Sequence, residues 1–229
     1  PLLELYTSES CSSCPPADRW LSTLSVRGLS PHRVLALAFH VDYWNHLGWA
    51  DPFARSEFSE RQRDAARRNR ARVVYTPQFI LEGIDYRRSR LGDNFSERLA
   101  AIGSRPAAAF IRADVRGEDQ NQILHLTVSG IEPAQRSLAR VYWAIYENRL
   151  ASTVSSGENR GKRLEHDAAV RHLAGPFSTN AGGELALAAP LRREQAWKIA
   201  DLHLAIFVQQ AATGETLQTL SLPWCRHAP

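Results

Sequence analysis

The sequence predicts two domains, an α/β amino-terminal domain at residues 1–104 followed by a mostly β, sandwich-like domain at residues 105–229. Three observations carry this expectation. The chain opens as strand, helix, strand; its segments become mostly strand-like after residues 103–106; and a Cys11-Ser12-Ser13-Cys14 pair stands between the first strand and the first helix. At 229 residues the chain is long enough to bury ample core without metal or disulfide staples.

Each element has a local reason. LLELYT (2–7) is too short for a helix and reads as a buried strand. ADRWLSTLS (17–25) carries Trp20, Leu21 and Leu24 at helical spacing and is ended by Gly28 and Pro31. RVLALAFHV (33–41) is continuously apolar, as expected of a strand covered on both faces. From Asp51 to about Arg72 the chain reads as a helix, with Asp51 as its cap ahead of Pro52. The Arg61, Arg63, Arg67, Arg68, Arg70 and Arg72 series in it reads as a solvated face. A strand is expected from Gln78 to Leu81, Gly83 signals a hairpin into IDYRRS, and NFSERLAAIG (94–103) is a last short helix. Beyond it AAAFIRADV, QILHLTVSG, ARVYWAIYEN, GELALAA, LHLAIFVQQ and TLQTLSL read as strands, while EHDAAVRHLAG (165–175) suits strand or helix. The charged stretch at 155–172 reads as a polar binding strip or, the favoured reading, an exposed loop and edge strand.

Composition narrows the function classes. Apolar residues at 44% and charged residues at 23% are ordinary for a globular chain, and no apolar run approaches the ~18 residues of a membrane span, so no transmembrane segment is expected. The net charge of +4 comes from arginines spread along the chain, with lysine only at Lys162 and Lys198, so nucleic acid is not an expected partner. No methionine is present, so Pro1 is not expected to begin the nascent chain; a cleaved signal peptide, a trimmed chain or loss of Met before Pro each accounts for this.

The cysteines are Cys11, Cys14 and Cys225, too few for a disulfide framework. A Cys-x-x-Cys at the head of a helix meets free N–H groups and a partial positive charge, which stabilise a thiolate. Cys11 is therefore the candidate nucleophile, and Cys14, about one turn on, the resolving thiol. Pro15 and Pro16 supply no N–H and keep both sulfurs at or just outside the helix end. Cys225, beside Trp224 and near His227, reads as a small buried residue.

Taken with the β, α, β, α, β, β, α order, the Cys pair and Thr76-Pro77 ahead of the third strand, the first half resembles the thioredoxin-like superfamily. The resemblance implies that Pro77 is a cis-proline facing the Cys pair and that Thr76 contacts an extended substrate; without it the peptide reads as trans. More narrowly, ELYTSESCSSCPPAD, LAFHVDYWNHLGWADPF and VYTPQFILEG resemble a family of secreted bacterial proteins of unknown function with a β-rich second half. This implies a periplasmic or secreted location and brings no settled activity with it; protein thiols or disulfides and a redox partner, with no cofactor, are the expectations of the thioredoxin-like redox reading. The Ser-Ser dipeptide and the absence of Trp before Cys11 depart from familiar thioredoxins.

An aromatic insertion at 42–52 leaves the carboxyl end of the second strand, where open α/β sheets bind ligands. His40, Asp42, Tyr43, Trp44, His46 and Trp49 are expected to line the cysteine site, with Asp42 moving a proton to the resolving thiol and His40 stabilising a thiolate. The plainer reading has them packing a long connection. The chemical rival is a non-catalytic scaffold binding copper or zinc through Cys11, Cys14 and His40, with His46 as a further ligand, or binding a protein partner. The leading expectation is a thiol:disulfide oxidoreductase.

Overall fold

The structure, a computed structural model, describes residues 1–86, 95–118 and 121–224. The first half runs β1 (Leu2–Thr7), α1 (Pro15–Ser22), β2 (Leu35–His40), α2 (Ser56–Arg68), β3 (Gln78–Leu81), β4 (Ile84–Asp85) and α3 (Phe95–Gly103). The second runs β5 (Phe110–Arg116), β6 (Ile123–Ser129), β7 (Ala139–Glu147), β8 (Leu150–Thr153) and β9 (Arg163–His166), then β10 (Ala169–Ser178), β11 (Leu185–Pro190), β12 (Leu202–Gln210) and β13 (Thr216–Pro223). Cys225, His227 and, after β4, residues 87–94 fall outside the described residues. Among the described residues no helix is long and apolar enough to cross a membrane.

One eight-stranded mixed sheet runs through both halves in the order β13-β12-β7-β10-β2-β1-β3-β4. β1 and β2 pair in parallel from Leu2↔Leu35 to Thr7↔His40, which requires the α1 crossover between them. The halves meet where β10 joins β2 at Ala169↔Ala38, with Ala38 N–H donating to the Ala168 carbonyl at 2.8 Å. Strands of the second half therefore extend the sheet that the first half begins. A three-stranded sheet, β11-β6-β5, packs its Leu124, Leu126 and Val128 against Val141, Trp143, Ile206 and Val208 of the large sheet. β8 and β9 form a separate hairpin.

Several local expectations are corrected. α1 begins at Pro15, with Cys14 as N-cap and both prolines in the first turn, where missing donors cost little. α2 begins at Ser56 with Arg55 before it; Asp51 is no cap, because its carboxylate accepts the N–H groups of Glu9 and Phe53 and bonds His40. The ambiguous 165–175 stretch is strand on both sides of a turn in which Ala168 has φ 55°.

The largest correction concerns α2. Its outer arginines are solvated, Arg63 pairing with Glu60 and Arg67 with Asp64, but Arg61 is buried. Its Nε donates to Glu4 Oε1 at 2.6 Å and its Nη2 to Gln209 Oε1 at 2.7 Å. The guanidinium carbon lies 4.9 Å from the Tyr142 ring centre, 5.2 Å from Phe207 and 5.4 Å from Phe39. Arg61→Leu strands the Glu4 carboxylate without its cation and is expected to cost about 3–5 kcal/mol in urea unfolding. Pairing it with Glu4→Leu is expected to restore most of that loss, since no buried charge then lacks its partner.

Candidate functional site

Sheet register brings three connections to one edge. β1 ends at Thr7 and runs into the Cys loop; β2 ends beside it at His40 and runs into the aromatic connection. β3 is antiparallel to β1 with Gln78 opposite Tyr6, so Thr76 and Pro77 enter at the same edge. The Thr76-Pro77 peptide is cis, as is Gly175-Pro176.

Cys11 and Cys14 are joined in a disulfide with their Cα atoms 5.4 Å apart. Cys14 has helical backbone angles and accepts the N–H groups of Ala17 and Asp18 on its carbonyl, while its own N–H donates to Cys11 O. Ser13 Oγ lies 3.3 Å from Cys11 Sγ. Both cysteines are buried, Cys11 at 1% exposure and Cys14 at 0%.

Burial of Cys11 is linked to the second half. In the turn between β8 and β9, Asn159 Nδ2 donates to the carbonyls of Glu9 at 2.8 Å and Cys11 at 3.0 Å. Glu158 Oε2 accepts Ser12 N–H at 2.9 Å, and Ser156 Oγ donates to Gly48 O. This turn clamps the Cys loop and the aromatic connection together.

A family model described as a protein of unknown function (DUF1223) matches residues 2–209. The chain belongs to the DUF1223 family. It is similar in structure to a protein of Agrobacterium tumefaciens at 25% identity and a TM-score of 0.72, an overlay covering 100% of this chain and 96% of that one. It also shares its fold with HBP35 of Porphyromonas gingivalis at 12% identity and a TM-score of 0.68, covering 97% of this chain and 74% of that one. No curated protein matches.

The expected site residues of this DUF1223 member have separate partners. Trp44 Nε1 donates to Thr76 Oγ1 at 2.8 Å, joining the aromatic connection to the residue before Pro77. Tyr43 donates to Gln62 Oε1, and burial pushes its hydroxyl up to about 12. Asp42 accepts a 2.5 Å bond from Ser59 Oγ, which ties it to α2. His46 is exposed, with Nδ1 at the Tyr43 carbonyl, and Trp49 Nε1 donates to Glu9 Oε2. Of the metal reading, Cys11 and Cys14 are committed to each other and His40 to Asp51. No group of three His, Cys, Asp or Glu side chains suited to a metal occurs among the described residues.

Beside the Cys loop lies a buried polar cluster. His40 Nδ1 is 2.7 Å from Asp51 Oδ2, His166 Nε2 is 2.9 Å from Glu9 Oε1, and the two imidazoles meet edge to face at 4.8 Å. Asp18, one turn after Cys14 on the same helix face, accepts from Thr7 Oγ1 at 3.1 Å. Burial raises the Asp18 carboxyl despite the nearby His166 and His40. Burial also acts to raise Asp51, but the His40 charge and three hydrogen bonds outweigh it and hold Asp51 below its usual range. Burial acts to lower His40, and Asp51 more than reverses that.

Sequence reasoning missed Glu9, Asp18, Asn159 and His166. Asp18 had a signal in its four-residue spacing from Cys14, and His166 in its alternation with Leu164 along β9. Asn159 had none. Because His40 is raised in the folded state, the stability it contributes is present below its unfolded value of about 6.5 and is lost as pH rises through the folded value. His172 and His203 are lowered by burial and act in the opposite sense, so the readout is the difference: in urea unfolding between pH 6 and 9 the stability advantage of wild type over His40→Gln should shrink as pH rises.

Proposed function

We propose that this chain is an exported thiol:disulfide oxidoreductase with a thioredoxin-like first half, working through Cys11 and Cys14, and that the β-rich half selects a protein partner. The observation that carries the reading is the disulfide held between the carboxyl end of β1 and the first turn of α1. Thr76 shares that sheet edge and suits a substrate-facing role, with Trp44 fixing its hydroxyl. Trp49 and Tyr43 brace the same connection.

In the oxidising direction a substrate thiolate attacks Cys11 Sγ, forming a mixed disulfide and releasing Cys14 as a thiolate, which takes a proton. A second substrate thiolate then attacks its own sulfur in that bond. Cys11 leaves as thiolate and the substrate carries away the disulfide. Two electrons pass from substrate to the pair, and the reducing direction is the reverse. An oxidising compartment would keep the pair as a disulfide between turnovers.

A second reading is favoured by one observation: Cys11 is 1% exposed under the 154–162 turn. On that reading the disulfide is structural and the fold is a scaffold for a protein partner.

Redox titration of the pair against a dithiol couple, followed through tryptophan fluorescence, separates the two. The oxidoreductase is expected to show reversible reduction, turnover of a disulfide substrate and a Cys11 pKa below the ordinary ~8.5. An ordinary Cys11 pKa together with no turnover would sink it. In the reducing direction, Cys14→Ser is expected to trap a mixed disulfide with substrate and Cys11→Ser to trap none.

A further inference from the structure

We propose that Glu158, carried by the second half, is a positioning residue that sets the reactivity of the Cys11 thiol by occupying the Ser12 N–H and placing a carboxylate beside it. This rests on the reading that the pair cycles between disulfide and dithiol.

The helix end that should stabilise a Cys11 thiolate is poor in free donors. Pro15 and Pro16 have no N–H, and those of Ala17 and Asp18 both go to the Cys14 carbonyl. Cys14 N–H is taken by Cys11 O, and Cys11 N–H by Ser8 O. The Ser12 N–H, on the residue after Cys11, donates instead to Glu158 Oε2 at 2.9 Å. Ser13 Oγ, 3.3 Å from Cys11 Sγ, is the hydroxyl donor at the sulfur itself.

The geometry holding Glu158 there is built rather than incidental. Val154 and Lys162 close the turn through Val154 N–H to Lys162 O at 3.0 Å and Gly161 N–H to Val154 O at 2.8 Å. The neighbouring Asn159 is fully buried, holds the carbonyls of Glu9 and Cys11, and is itself held by Lys162 Nζ at 2.9 Å. Glu158 is solvent-exposed, so replacing it leaves this frame intact. Its carboxyl is kept below the ordinary range by the Ser12 N–H, so it is charged wherever a thiolate would form.

When the disulfide is reduced, a thiolate at Cys11 and the Glu158 carboxylate held on the next residue's N–H are like charges close together. Such a pair disfavours the thiolate. The other charged groups packed around the loop are Glu9 with His166, His40 with Asp51, Asp18 on α1, and Lys162 on Asn159. All are retained when Glu158 is changed, so a charge series at this one position isolates its effect.

The test is the pH profile of iodoacetamide alkylation of Cys11 in the full chain, in a Cys14→Ser, Cys225→Ser background where Cys11 is the remaining thiol. Relative to Glu158, Glu158→Gln is expected to raise the alkylation rate at pH 6 about threefold and Glu158→Lys about tenfold, with midpoints moving acid in that order. The differences should shrink in molar salt. Coincident profiles across the three, or an order that does not follow charge, would overturn the proposal. Failure of the oxidoreductase reading is a separate result, absence of disulfide turnover by the unsubstituted chain, and leaves the alkylation series readable.

Discussion

The buried Arg61–Glu4 ion pair is the constraint around which the rest is arranged. An arginine taken out of water needs its charge matched and its N–H groups occupied, and the Coulomb gain repays desolvation only in good geometry. Here Glu4 supplies the charge from β1, Gln209 an acceptor from β12, and Phe39, Tyr142 and Phe207 three ring faces from β2, β7 and β12. Satisfying one side chain of α2 therefore draws on strands from both ends of the chain. Burial alone would weaken the guanidinium's hold on its proton; Glu4 more than reverses this, so the charge persists. The large sheet accordingly crosses from one half to the other without a break.

The same joining recurs at the Cys loop with smaller groups. Glu9 receives His166 from β9 and Trp49 from the aromatic connection, and its carbonyl receives Asn159. Buried polar atoms need partners, and for this loop several come from the second half. A loop so held has much of its shape fixed by partners other than the disulfide, which suits a redox site and a structural disulfide alike. The clamp lies over Cys11, and its outermost side chain, Glu158, contributes one exposed contact to it while the buried Asn159 holds the frame.

Much of this was readable before any coordinates. Strands such as Leu2–Thr7 and Leu35–His40 announce themselves because burial on both faces demands continuous apolarity, and Gln78–Leu81 because turn residues bracket it. The Cys pair's place between β1 and α1 followed from local signals alone. Asp51 misled because a cap and a buried ion-pair partner look identical in one dimension; what separates them is whether an imidazole stands opposite. Arg61 misled because five neighbouring arginines are indeed candidates for a solvated face, and helical phase alone does not say which side meets aromatic rings from residues 142 and 207.

By itself the sequence determined the element order of the first half, the membership in the DUF1223 family and the place of Cys11 and Cys14 between β1 and α1, since these depend on short-range periodicity, turn residues and spacing. Tertiary structure alone decided that the halves share one sheet, that Asn159 and Glu158 grip a loop almost 150 positions away, and that Arg61 is inside. The physical reason is that desolvated charges and unpaired N–H groups are satisfied by whatever the fold brings near them, and nothing local in the chain records which partner that will be.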